Sequence, residues 1–319
     1  MAVKSVHGEL LCHVIHDIVR TRRTLSLDSG SIVNKDINST EDQGNVMFEE
    51  FNMIDTGPCR ITVVAGGDFG MRVLNGLRRE PQRGEYLSLD DDYASAGARA
   101  AKSDLLFIVT DRESSQVEAR GVEIAVLAKI TGCRVVVVVN PASDEHDGRC
   151  DPLLEAVDSL IVVSGDCFVP FEESPVSLLS DSDVESYLAC MLIREITTII
   201  TVRSFMGFDF ADLESLLIKR GMRAYLGIGV AEGVDRGADA AEKALYALKK
   251  QIDFSEVSGM LAIIAASNNA SNSLSMDDFG GAITLLREKI PEELYLISAV
   301  AVNELSWNSV RVMVVGKAR

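Results

Sequence analysis

Between Val109 and Gly121 the chain has no glycine. An apolar run, Leu105 to Val109, reads as a buried parallel strand, and the residues after it read as a helix. The turn between such elements is where α/β proteins hold ligands, through glycines or free amides. Here it carries Asp111, Arg112, Glu113, Gln116, Glu118 and Arg120 instead. Positive charge is scarce as well: 31 Lys and Arg stand against 48 Asp and Glu, a net charge of −17. That surplus repels phosphate at long range and argues against a nucleic-acid or anionic-membrane surface. No apolar run reaches the ~18 to 20 residues that span a bilayer, and no signal-peptide core opens the chain. None of the six cysteines, at 12, 59, 133, 150, 167 and 190, forms a CxxC pair, so they read as reduced core thiols of a cytoplasmic protein.

What is present is a soluble globular composition, 47% hydrophobic over 319 residues, enough for one large or two ordinary domains. Residues 8 to 22 repeat Leu11, Val14, Ile15 and Ile18 at helical spacing, and the polar stretch from Ser26 to Glu50 reads as a linker. Cys12, His13, His16 and Asp17 on that helix invite a metal reading. One helix face does not converge four ligands, so no metal is expected. From Ile61, short β-branched runs (61–65, 105–109, 134–139, 160–163) alternate with helix-length segments, which predicts a parallel sheet covered by helices on both faces. The first run ends in Gly66, Gly67, Asp68, Phe69 and Gly70. That cluster fits a phosphate turn or a tight strand-to-helix connection, and Asp68 favours the connection because a carboxylate repels phosphate. Residues 182 to 202 form one long apolar helix of roughly 30 Å at 1.5 Å per residue, of a kind shared between domains. Strands at 223–230, 259–265, 294–302 and 310–315, with helices at 237–250 and 276–289, make an α+β layer.

The second half also carries a family likeness. "DFADLESLLIKRGMRAYLGIGVAEGVDRGADAAEKAL", "SMDDFGGAITLLREKI" and "AVAVNELSWNSVRVMVVG" follow in order over residues 205 to 316. This run resembles FtsZ of the tubulin superfamily, with its NxDFADV loop, its GIGxAxG segment and its closing strand pair. The resemblance implies a Rossmann-like domain at 59–181, a connecting helix at 182–207 and an FtsZ-like C-terminal domain at 208–319, preceded by the N-terminal helix and linker at 1–58. In that family a GGGTGTG loop wraps the nucleotide phosphates, and here the place falls to Asp111 through Arg120. Met71 stands where the family carries an asparagine, and Tyr187 where an Asp or Asn reads the guanine. The segment from Glu80 to Lys102 is shorter than in the family.

The chain is therefore expected not to bind GTP or GDP in the family manner, through Gly66, Gly67, Gly70, Asp111, Arg112 and Tyr187. Asp209 and Asp212 match the acids that position the attacking water in the next subunit of an FtsZ filament, with Gly207 replacing an asparagine. They also fit an N-cap and first-turn acid of a helix starting near Ala211. The implied function is a cytoskeletal protein of cell division that modulates or caps a competent FtsZ-type filament, its partner being an FtsZ-type protein or itself. A divergent self-assembling GTPase, and an adaptor docking through the N-terminal helix, are the alternatives. The chain stops at Arg319 just after the last strand, so the family's C-terminal tail peptide is expected to be absent.

Overall fold

The computed structural model describes residues 59–79, 84–111, 115–141, 152–170, 180–202, 208–267, 273–303 and 309–319. The helix expected at 8–22, with Cys12, His13, His16 and Asp17, lies outside them, as do Arg112 and Gly207. In chain order the elements begin β1 (Ile61–Gly66), α1 (Gly67–Leu77), β2 (Glu85–Ser88), α2 (Tyr93–Ala100), β3 (Leu105–Thr110), α3 (Ser115–Ile130) and β4 (Arg134–Val139). They continue with α4 (Pro152–Ala156), β5 (Ser159–Val162), β6 (Phe168–Val169) and α5 (Asp181–Thr201). The second half is α6 (Phe210–Leu217), β7 (Met222–Glu232), α7 (Arg236–Lys249), β8 (Val257–Ser267), α8 (Met276–Lys289), β9 (Tyr295–Asn303) and β10 (Ser309–Ala318).

All ten strands join one sheet in the order β2-β1-β3-β4-β5-β7-β10-β8-β9, with the short β6 also on β7. Every pairing is parallel except those of β10 with β7 and β8. The sheet is unbroken where the first half meets the second, through Ser159 opposite Met222. Strands β1 and β3 are buried along their whole length, as expected where helices cover both faces.

Alternation sorts their side chains between those faces. Val63, Phe107, Val138, Ile161, Leu226 and Ile263 share one cluster with α1, α5 and α6. Val64, Ile108 and Val137 point the other way, toward α2, α3 and α4. Ile264, Val312 and Val314 pack in a third cluster under α7 and α8. The long helix α5 therefore lies along one face and touches strands of both halves. A buried ion pair fixes it there, Glu195 on α5 with Arg311 on β10.

Candidate functional site

Chain direction in an open α/β sheet fixes where ligands can sit. From β1 the chain passes outward to β2, and from β3 onward it runs to the other side. The crevice between the carboxyl ends of β1 and β3 is thus the topological switch point, the usual ligand position of such sheets. The residues there are Gly66 at the end of β1, Gly67 at the start of α1, Thr110 at the end of β3 and Asp111 just after it.

Helix α1 starts at Gly67, straight from the strand, with Gly67 at φ +73°. That left-handed conformation suits glycine. Two of the first-turn amides of α1 have acceptors within the chain. Asp111 Oδ2 accepts from the Phe69 amide at 2.9 Å, and Asp90 Oδ2 accepts from the Gly67 amide at 3.1 Å. The amides and positive dipole end that would draw a phosphate are thus met by two carboxylates of the chain itself. The space beside the glycines is filled too. A Cβ on Gly66 would meet Val117 Cγ1 at 2.9 Å, and one on Gly70 would meet the Val109 carbonyl at 2.6 Å. A Cβ on Gly67 would collide with Asp111.

Asp90 is held from several sides. Its amide donates to Ser88 Oγ at 3.1 Å, and the Arg120 guanidinium stands 3.6 Å from its carboxylate. Arg120 also lies over the Tyr93 ring at 6.0 Å, and the Tyr93 hydroxyl donates to Glu123 at 2.5 Å. Burial chiefly, then that bond to Glu123, holds the Tyr93 hydroxyl protonated well above its ordinary range.

The run expected as a loop through Arg120 is shorter than that. Helix α3 begins at Ser115, so Gln116, Glu118 and Arg120 are helical, and of the described charged residues in the run only Asp111 reaches the amides. On the α5 side, Arg72 donates to Ser186 Oγ at 3.1 Å. Glu185 beside it has its pKa raised, first by burial, then by the charges of Asp181 and Asp111 against the lowering effect of Arg72. Tyr187, two residues beyond Glu185, is 40% exposed on the same helix. The sequence reading missed Asp90. The one local signal was a run of three aspartates, of which Asp92 caps α2 through the Ser95 amide at 3.0 Å.

Asp209 and Asp212 are at the opposite edge of the sheet. Helix α6 crosses the heads of β4 and β5, where Arg134 Nε bonds Glu214 at 2.5 Å and the Ser159 hydroxyl donates to the Leu217 carbonyl. The two acids form a reciprocal capping box. The Asp212 amide donates to Asp209 Oδ1 at 3.0 Å, and the Asp209 amide to Asp212 Oδ2 at 3.1 Å. Among the described residues no group of three His, Cys, Asp or Glu is placed to hold a metal, and no helix is long and apolar enough to cross a membrane.

An open parallel sheet with its switch point at β1 and β3, a long helix along one face and a four-strand layer closed by one antiparallel strand define an α/β protein of doubly wound architecture with an added α+β layer. No family model matches the chain. Among solved structures, a mutant FtsZ of M. jannaschii is similar at a TM-score of 0.67 and 17% identity, over 83% of this chain and 92% of that one. An empty FtsZ dimer from the same organism gives 0.63 and 17%, over 83% and 90%. A GTPγS-form protofilament of TubZ from Bacillus thuringiensis serovar israelensis gives 0.52 and 11%, over 82% and 89%. The chain has the FtsZ fold.

Proposed function

We propose that this chain is a cytoskeletal protein of the FtsZ type whose own nucleotide site is closed, and that it acts in cell division by docking on a competent FtsZ-type filament. The carrying observation is the pair of carboxylates, Asp111 and Asp90, on the Phe69 and Gly67 amides. A phosphate entering there has to displace two formed hydrogen bonds and approach like charges. The residues present do not fit GTP or GDP, so no hydrolysis by this chain is part of the reading. The acids Asp209 and Asp212 sit at the other edge of the sheet, where a head-to-tail contact would present them to a neighbouring subunit. The similar solved structures include an FtsZ dimer and a TubZ protofilament, which supports association through such faces.

Titration of the purified protein with labelled GTP and GDP tests the reading. The expected result is no saturation at concentrations that fill a competent FtsZ. Micromolar binding competed by GDP and not by ATP would overturn it in favour of a divergent self-assembling GTPase.

A further inference from the structure

Within a chain carrying a net charge of −17, most well-placed cations are matched by carboxylates. Arg60 meets Asp104, Lys129 meets Asp158, Arg236 meets Asp278 and Arg311 meets Glu195. A pair of neighbouring lysines departs from this pattern. At the edge of the sheet that holds the heads of β8 and β9 and the tail of β10, opposite the crevice at Gly66 and Asp111, lies a groove of about 450 Å³. Its walls include Ser215, Lys219, Ser258, Tyr295, Lys317 and Arg319.

Among the described residues neither Lys219 nor Lys317 forms an ion pair. The Lys317 ammonium donates to a neutral acceptor, the Ser215 carbonyl, at 3.3 Å. Burial first, and then the like charge of Lys219, lower its pKa. Lys219, exposed, and Lys317, half-buried, line the same groove, and two like charges beside one space are an arrangement that a bound anion relieves. A carboxylate brings a single charge, whereas a phosphate monoester brings close to two and three acceptor oxygens. The volume is that of a small-molecule site. Tyr295, 56% exposed, offers a ring face at its rim.

We propose that this groove binds a small phosphorylated molecule, its phosphate held between Lys219 and Lys317, with Arg319 as a further donor and Tyr295 flanking the organic part. The site is separate from the closed crevice and does not depend on the reading of that crevice.

The test is calorimetric titration of the full chain with inorganic phosphate, pyrophosphate and phenyl phosphate at constant ionic strength, with acetate as control. Saturable binding is expected for the phosphates and none for acetate, with phenyl phosphate tighter than inorganic phosphate through its contact with Tyr295. Lys219→Gln and Lys317→Gln should each weaken binding by about tenfold, the equivalent of about 1.4 kcal/mol. Lys289→Gln, at an exposed lysine of α8, should leave it unchanged. Pyrophosphate should also slow acetylation of Lys317 in the unsubstituted protein, a readout that does not depend on the folding of any variant. Absence of saturation, or indifference to both lysine substitutions, overturns the proposal.

Discussion

Asp111 does the work of a helix N-cap from outside the helix, since its carboxylate comes from β3 to the amide of Phe69. Asp111→Ala should therefore cost about 1 kcal/mol, seen as a fall in Tm of about 2 °C, because one first-turn donor loses its acceptor. An unchanged Tm would mean that water replaces the carboxylate at no cost. Gly70→Ala should be more severe, at about 1 to 3 kcal/mol, because the added methyl meets the backbone carbonyl of Val109, which cannot rotate away. Chemical denaturation of the two variants side by side orders the effects. At this scale the sequence shows that charge replaces glycine after β3, and Asp111 is visible in that run. It does not show Asp90, because the bond from the Gly67 amide spans 23 residues and rests on β2 pairing beside β1. The sequence pointed to bulk in place of glycine and to like-charge repulsion; the geometry adds that Asp111 and Asp90 accept from the Phe69 and Gly67 amides themselves.

The helices and strands were legible wherever burial imposes a period. Expected strands at 134–139 and 259–265 correspond to β4 and β8, and helix 276–289 to α8. The short β2 and β6 and the alanine-rich α2 escaped, since four residues, two residues and YASAGARA carry too few large apolar side chains for a period to show. Two ion pairs between elements give predictions. Glu195→Ala should cost about 3 to 5 kcal/mol by stranding the buried Arg311 guanidinium between α5 and β10, measured as a lowered urea midpoint. A shift of a few tenths of a kcal/mol would show the pair to be dispensable.

Asp278 joins α7 to α8. Burial alone would raise its pKa, but hydrogen bonds donated to its carboxylate by Arg236 and by the Ser275 amide and hydroxyl hold it below the ordinary value. A carboxylate depressed in the folded state contributes stability that is fully present above its unfolded pKa of about 3.9 and is lost as pH falls through the folded value. Asp278→Asn should therefore lower stability at pH 7 and flatten its decline below about pH 4. Urea midpoints taken from pH 7 to pH 2 for both proteins decide it, and parallel curves would refute the assignment.

The two edges of the sheet are unlike. The carboxyl edge of the sheet carries Asp68, Asp90, Asp111, Asp181 and Glu185, and the opposite edge carries α6 with its capping box beside the lysine-lined groove. The proposed docking on a competent filament uses the α6 edge, and one substitution to alanine would confuse the capping role of the acids there with the catalytic role proposed for them. Alanine at Asp209 removes a cap worth about 1 kcal/mol as well as a charge.

Asp209→Ser with Asp212→Gln separates them, because serine and glutamine rebuild a capping box without either carboxylate. This double variant should keep the Tm of the parent. Mixed at substoichiometric ratio with a polymerising FtsZ from the same cell, the parent should change filament length and GTP turnover, read by light scattering and phosphate release. The double variant should dock and still alter filament length, yet lose any stimulated turnover, since no acid remains to position the attacking water. If its turnover matches the parent's, Asp209 and Asp212 act only as the start of α6, and the contribution of this edge to a filament is shape alone.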